Sequence, residues 1–428
     1  VGLTPSSSRG RRRSFAALGI YASAGLGIAG SLVVFRVLGP TGAGRFSIVI
    51  GAVSFFSLLV DLTSDEALVK YGFRYAAQAD WGRFRQLVRL TFSFEFAAAL
   101  VAAALVAGVA PFAGSIFHGG GGLLTPMLIA ALLPPLQAIE SMGAAALTLR
   151  SRYDIRGAFL TVSMALRLVG LAIGTHYGVT QAVVGVLVAQ LITTAAISAA
   201  GLTALRHFPA AARLPLGDDR TPILKFVFQS SLDTGLTSVR AWIAPLTLGV
   251  VRDATAVGLF RGAQAPESAF ATFSAPARMV LLTDQTRDWE LGRFAAVIAD
   301  LRRYILVATL LMVVILPPTE WAMPWLVHTV LGHQYSGAVG AARLILGSAA
   351  IQLIFGWTKS FPVTIGRPGL RVFAHAVETA ALLPLIVLFG HLWGVSGAGG
   401  AVLASSGVYA AVWIGIVFRL RGSVLKSA

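Results

Sequence analysis

Long apolar runs separated by short polar gaps dominate the chain, and run length decides the element type. The run from Tyr304 to Leu316, "YILVATLLMVVIL", is one of many. Crossing a bilayer takes roughly 20 mostly apolar residues per helix. By that rule the sequence predicts spans near 15–35, 46–63, 90–112, 123–149, 157–177, 180–205, 223–250, 258–282, 304–327, 338–358, 371–391 and 395–418. The eighth is the least apolar, because it carries Arg261, Gln264, Pro266, Glu267 and Arg278. The expected fold class is an all-α polytopic membrane protein of about 12 transmembrane helices.

Composition agrees. Apolar residues are 56% of the chain and charged residues 12%, against about 25% charged in soluble domains. "SSSRGRRRSF" before the first apolar run looks like a secretory or twin-arginine signal. The run continues to Leu38 without a small-residue cleavage site after a polar region, so a retained first helix is expected. There is no cysteine, hence no disulfide and no thiolate metal site. The seven histidines lack metal-ligand spacing, and no nucleophile elbow or Walker motif occurs. No catalytic residue, cofactor or metal is expected.

Charge changes the picture by giving direction. Counted from a cytoplasmic N-terminus, the even-numbered gaps and both tails hold 27 of the 34 Lys and Arg. The opposite side holds four: Arg36, Arg45, Arg252 and Arg261. Arg167, Arg240 and Arg343 lie inside spans. This is the positive-inside pattern. It predicts a multi-pass protein of the cytoplasmic (plasma) membrane with both termini cytoplasmic. The basic balance then reports topology and contact with anionic membrane lipid, not a nucleic-acid partner.

A phrase recurs along the chain. "DWGRF" at 80–84 lies between spans two and three, and "DWELGRF" at 288–294 lies in the same gap six spans later. Gly44 and Phe46 echo Gly258 and Phe260, Gln137 echoes Gln352, Arg156 echoes Arg371, and "GVTQAVVGVLVA" from Gly178 echoes "GVSGAGGAVLAS" from Gly394. The offsets run about 214 to 216, the DW phrase alone differing, and ordered echoes of this kind point to duplication. The expected organisation is a basic tail (1–14), a six-helix bundle (15–205), a cytoplasmic linker (206–222), a second six-helix bundle (223–418) and a basic tail (419–428). An even number of spans per copy makes the repeats parallel, an arrangement of transporters with binding near the midplane of a central cavity.

"FRVLGPTGAGRFSIVIGAVSFFSLLVDLTSDEALVKY" resembles the first two helices of bacterial polysaccharide flippases of the multidrug/oligosaccharidyl-lipid/polysaccharide exporter superfamily. The matching positions are Arg36, Leu38, Gly39, Pro40 and Gly44, then Asp61, Leu62, Glu66, Ala67 and Lys70. The second copy, "VVRDATAVGLF", lacks the Leu-Gly-Pro signature. The resemblance implies alternating-access flipping of a polyprenyl-diphosphate-linked oligosaccharide to the outer leaflet. It also implies that the first two helices of each half line the cavity, with polysaccharide polymerase or glycosyltransferases as partners.

An anionic diphosphate calls for cations, and guanidinium bonds phosphate oxygens in a fork. Arg240, deep in span seven with Asp233 two turns before it, is the first candidate; a structural ion pair is the competing reading. Arg167 in span five has Glu378 at nearly the equivalent level of span eleven, a pairing that would serve as glue or as a substrate contact. Arg343 near the outer end of span ten reads either as a site cation or as a snorkelling one. Arg36, Arg45, Arg252 and Arg261 would rim the outer cavity mouth, or serve as solvated loop charge. Asp61 in "LLVDLT" would couple transport to an ion, or cap its helix. Pro266 would form a gate, or a static kink.

Two other functions share parts of this pattern. A multidrug and toxin extrusion exporter coupled to H⁺ or Na⁺ has the same architecture and favours cavity acids, and Asp61, Glu95, Glu140, Asp233, Glu267 and Glu378 are intramembrane acids here. A membrane polysaccharide polymerase or ligase would present a sizeable outward loop, and the outward gaps here are short.

Overall fold

Forty helical residues from Tyr21 to Val60 would extend about 60 Å at 1.5 Å per residue, twice the roughly 30 Å hydrocarbon core. The chain resolves this with a break. Helix α1 (Ser6–Val60) leaves helical geometry at Gly39, whose φ of 66° and ψ of −179° separate two apolar arms. Glycine takes that left-handed φ without the steric cost of a β-carbon, and Pro40 starts the second arm with its φ already set.

This computed structural model describes residues 6–60, 64–118, 122–267, 285, 288–289, 291, 293–365, 367 and 369–424. After α1 come α2 (Ser64–Ala77), α3 (Trp81–Val109), α4 (Leu133–Leu149), α5 (Tyr153–Gly174), α6 (Val179–Arg206), α7 (Arg220–Val251), α8 (Ala254–Ala263), α9 (Phe294–Val330), α10 (Val339–Ile354) and α11 (Gly369–Val424). Among the described residues, eight helical stretches are long and apolar enough to cross a membrane. Two of them, within α1 and α11, hold a break, the second at Gly394 with φ 61°. Counted by their arms, these stretches make ten apolar passages among the described residues. The protein is an all-α polytopic membrane protein, and its exterior fits a lipid solvent. Leu306, Leu310, Val314 and Trp321 on α9 are all more than half exposed.

The chain forms two compact units, Val1–Leu38 with Ile48–Trp242, and Gly39–Ser47 with Ile243–Ala428. The division passes through α7.

In the first unit the gaps on one side pack together. Tyr71, Tyr75, Phe84, Leu87, Leu149, Leu216 and Ile223 share a buried cluster. Residues of the 206–222 linker therefore dock on this unit. The Leu214 amide donates to the Gly82 carbonyl at 3.3 Å, and Phe208 meets Trp81 and Phe84. The Tyr75 hydroxyl donates to Asp219 Oδ2 at 2.9 Å, with Arg74 and Arg83 at 3.6 and 3.8 Å from the same carboxylate. Burial and that hydrogen bond push the Tyr75 phenol up to about 12.

The repeated phrase forms an Asp–Arg pair in both places, but only the first caps a helix with its side chain. Asp80 N-caps α3 by accepting from the Arg83 amide at 3.0 Å, and the Arg83 side chain returns to it at 3.5 Å. Asp288 pairs with Arg293 at 3.7 Å, and Arg293 is the N-cap residue of α9. Both pairs lie at the start of a long apolar helix, α3 or α9.

In the second unit the Gly39–Ser47 segment lies against α8. Thr41 and Thr255 share a hydrogen bond of 2.9 Å. Gly44 and Gly258 sit so close that a β-carbon on Gly44 would strike the Ala254 carbonyl, and one on Gly258 would strike the Pro40 carbonyl. Equivalent positions of the two sequence copies thus meet reciprocally. Trp357, Ala374, Tyr409 and Trp413 form a buried aromatic cluster in the same unit.

Candidate functional site

Polar side chains in an apolar bundle need partners, because an unsatisfied polar group in hydrocarbon costs several kcal/mol. Among the described residues, each unit meets this need with a polar cluster shared by neighbouring helices.

In the first unit, Glu140 on α4 accepts a hydrogen bond from Gln190 Nε2 on α6. Gln190 lies 3.2 Å from the Thr194 hydroxyl, which donates to the Leu136 carbonyl at 3.3 Å. Gln190 and Thr194 are buried. Arg167 on α5 has Glu140 as its electrostatic partner. The expected counterpart of Arg167, Glu378, belongs to the other unit; within the first unit it is Glu140 that acts on Arg167.

In the second unit, Glu378 is completely buried and lies 3.1 Å from His375 Nδ1, one turn earlier on α11. Gln352 Nε2 on α10 stands 3.5 Å from Glu378 Oε1 and from the Ser406 hydroxyl. Ser406 shares a 2.7 Å hydrogen bond with Ser348. The His375 ring stacks on Tyr409 with centroids 5.0 Å apart, and Tyr409 shares a 2.6 Å hydrogen bond with Thr358. The sequence reading names Glu378 but misses His375. The available signal is the His-x-x-Glu spacing, which puts both groups on one helix face.

The other cations divide by what they hold. Arg252 spends its guanidinium on α11: Nε donates to the Gly390 carbonyl at 2.8 Å and Nη2 to the His391 carbonyl at 2.6 Å. These carbonyls close the arm before the Gly394 break, where a cation complements the helix dipole. Arg343 donates to the Glu320 carbonyl at 3.1 Å and pairs with its carboxylate at 3.8 Å on an exposed face. Arg36 is exposed, while Arg45 and Arg261 are half-buried. Arg261 donates to Gln264 Oε1 at 3.1 Å.

Pro266 follows an interruption. Helix α8 stops at Ala263, Gln264 makes a turn, and helix resumes at 265–267. The side chains of Asp233 and Arg240, on the helical backbone of α7, lie outside the described residues, as does Asp61. Among the described residues, no three His, Asp or Glu side chains gather as a metal site would require.

Known proteins share this architecture. An inward-facing multidrug resistance MATE family transporter of the MOP superfamily is 14% identical with a TM-score of 0.74, covering 96% of this chain and 99% of that one. The lipid II flippase MurJ in an inward closed conformation is 13% identical with a TM-score of 0.73, covering 94% and 87%. A mutant of the Vibrio cholerae MATE transporter VcmN is 14% identical with a TM-score of 0.60, covering 96% and 98%. A sequence search among curated proteins gives no match. The profile described as "Polysaccharide biosynthesis protein" matches residues 11–282, more than half of the sequence, and the chain belongs to that family.

Proposed function

We propose that the protein flips a polyprenyl-diphosphate-linked oligosaccharide, or a related polysaccharide precursor, across the cytoplasmic membrane by alternating access. The observation that carries this reading is the family match over residues 11–282. That stretch contains Arg36, Arg45, Arg167, Asp233, Arg240, Arg252 and Arg261. The likeness to MurJ supports a lipid-linked cargo. The likeness to MATE transporters shows the fold and leaves the drug-exporter reading as the alternative.

Within this reading Arg240 binds the diphosphate at mid-membrane. A central arginine costs roughly 2.5–3.5 kcal/mol on the insertion scale, a cost that leucine would avoid, and an anionic headgroup compensates for it. Asp233 holds the guanidinium between cargoes. Arg45 and Arg261 serve the outer mouth. Asp61 is a candidate coupling acid, and the interrupted helix at Pro266 is a candidate gate. Both termini face the cytoplasm, and the repeats 15–205 and 223–418 are the moving bundles.

The test is surface polysaccharide in a strain lacking the native gene, alongside accumulation of lipid-linked precursor in the inner leaflet. Wild type restores export; Arg240→Ala inserts normally and does not; Arg240→Lys, which keeps charge but loses the fork, restores it in part. Full export by Arg240→Ala removes the site assignment. No effect of wild type on polysaccharide, with lowered uptake of cationic dyes, replaces the flippase with the drug exporter.

A further inference from the structure

The two polar clusters occupy corresponding passages but carry different chemistry. In the first unit the acid Glu140 is matched by Arg167, and guanidinium keeps its charge at every physiological pH. In the second unit the acid Glu378 is matched by His375, and imidazole gains and loses a proton near neutrality.

At the spacing that pairs Gln137 with Gln352, Glu378 corresponds to Ser163 and His375 to Leu160. The first half builds the same passages without an acid or a base at those two positions, so the shared fold does not require the pair. A completely buried carboxylate within a membrane helix is costly, and such residues mark ion or proton pathways.

We propose that His375 and Glu378 together bind and release one proton within the second unit. Without it, neutral His375 donates its Nδ1 proton toward the Glu378 carboxylate, and the pair carries one negative charge. With it, the pair is neutral: the added proton rests on the Glu378 carboxyl, and two neutral groups remain. The described neighbours tolerate both states. Gln352 on α10 offers an amide that can turn either face to Glu378. Ser406, on the last passage, has a rotatable hydroxyl shared with Ser348. Tyr409 stacks on the His375 ring and makes no demand on its charge. Arg371, one turn before His375 on the same helix, is the cation nearest in sequence. His375 is 13% exposed and Glu378 is 0% exposed, so the histidine is the side from which a proton enters. That this proton drives transport rests on the transporter reading above; that the pair binds it does not.

The experiment is pH-difference infrared spectroscopy of the purified full-length protein in lipid, following the carbonyl band of protonated carboxyl groups. In wild type a buried carboxyl band disappears as pH rises. Glu378→Gln loses that band, whereas Glu140→Gln keeps it. In His375→Gln the carboxylate has lost its basic partner, so the band persists to higher pH. A spectrum unchanged by Glu378→Gln, or a band lost in Glu140→Gln, overturns the site. The driving role is read in the export assay, where Glu378→Gln at wild-type abundance lowers surface polysaccharide at least severalfold. Full export by that variant overturns coupling. If wild type itself has no effect on export, the transporter reading fails, and the infrared result still decides the proton site.

Discussion

Gly44 and Gly258 face each other across two backbones: a β-carbon on Gly44 would strike the Ala254 carbonyl, and one on Gly258 the Pro40 carbonyl. These are the residues that sequence comparison pairs as equivalents, and Thr41 with Thr255 repeats the relationship at 2.9 Å. Small residues four apart let membrane helices approach closely. Here Pro40 and Gly44 on one segment meet Ala254 and Gly258 on the other. Parallel repeats, if the two halves are such, would bring equivalent points to one level in this way.

Enlarging either glycine should therefore destabilise the second unit. Overpacking costs about 1–3 kcal/mol, and these obstacles are carbonyls rather than flexible side chains. Gly44→Ala and Gly258→Ala should each lower the thermal unfolding midpoint of the purified protein by several degrees. Gly25→Ala, where a β-carbon meets nothing within 4 Å, should leave the midpoint unchanged or raise it. Equal midpoints for all three variants would show that the crossing is not tight.

Arg252 should be a structural cation. Its guanidinium is committed to the Gly390 and His391 carbonyls. Removing it should cost about 1–2 kcal/mol, in the range of a charged hydrogen bond and a helix-dipole partner. Arg252→Ala should lower the unfolding midpoint yet retain most polysaccharide export per folded molecule. Arg261→Ala, at a half-buried position, should reverse that order, with near-normal stability and reduced export. Loss of export by Arg252→Ala at full abundance would return it to the substrate path.

The helices are legible in the sequence because lipid imposes one simple rule, a run of sufficient apolar length. The sequence signal for a repeat is Gly44 and Gly178, whose echoes lie 214 and 216 residues on, while the DW phrase recurs after 208. Partnerships are harder to read. Sequence matches Arg167 to Glu378 by depth along their helices, but depth says nothing of which neighbour a side chain turns toward. Glu140, one helix away in the same unit, acts on Arg167. Side of the membrane groups Arg252 with Arg45 and Arg261, and hydrophobic patterning cannot show a cation folding back onto carbonyls 138 and 139 residues away. His375 escapes notice because a lone histidine on an apolar helix is ordinary until the carboxylate one turn on is seen to be buried.

The linker clasp should respond to alkali. The Tyr75 phenol is raised to about 12 from an ordinary value near 10, because its buried neutral form donates to Asp219. A group whose folded pKa is raised contributes stability that is complete below its unfolded value and is lost as pH rises through the folded one. The docked linker should hold unchanged below about pH 10 and loosen between about 10 and 12. Tyr75→Phe should weaken the clasp at neutral pH and remove this alkaline component. Protease cleavage near Arg213 reports both effects. A wild-type cleavage profile in Tyr75→Phe across that range would place the linker's hold elsewhere.

Membrane orientation is testable residue by residue, since the chain has no cysteine to remove. In the first unit, contacts tie the cation-rich gaps together: Leu214 to Gly82, Arg150 over the Phe208 ring at 5.6 Å, and Asp219 to Tyr75. In the second, Ser360 donates to Gln285 Oε1 at 3.1 Å, joining two further gaps of the same parity. Gaps of one parity thus share an end within each unit, as alternating passages require. The positive-inside rule assigns that end to the cytoplasm. A cysteine at Arg213, exposed in the linker, should resist an impermeant thiol reagent applied to intact cells and react once the membrane is opened. A cysteine at Tyr177, 74% exposed between α5 and α6, should react from outside at once. Both substitutions are at exposed positions, so folding is not the variable. External labelling at 213 with protection at 177 would invert the orientation, and with it the direction assigned to transport. Equal labelling at both would break the alternation of passages on which the two-repeat arrangement rests.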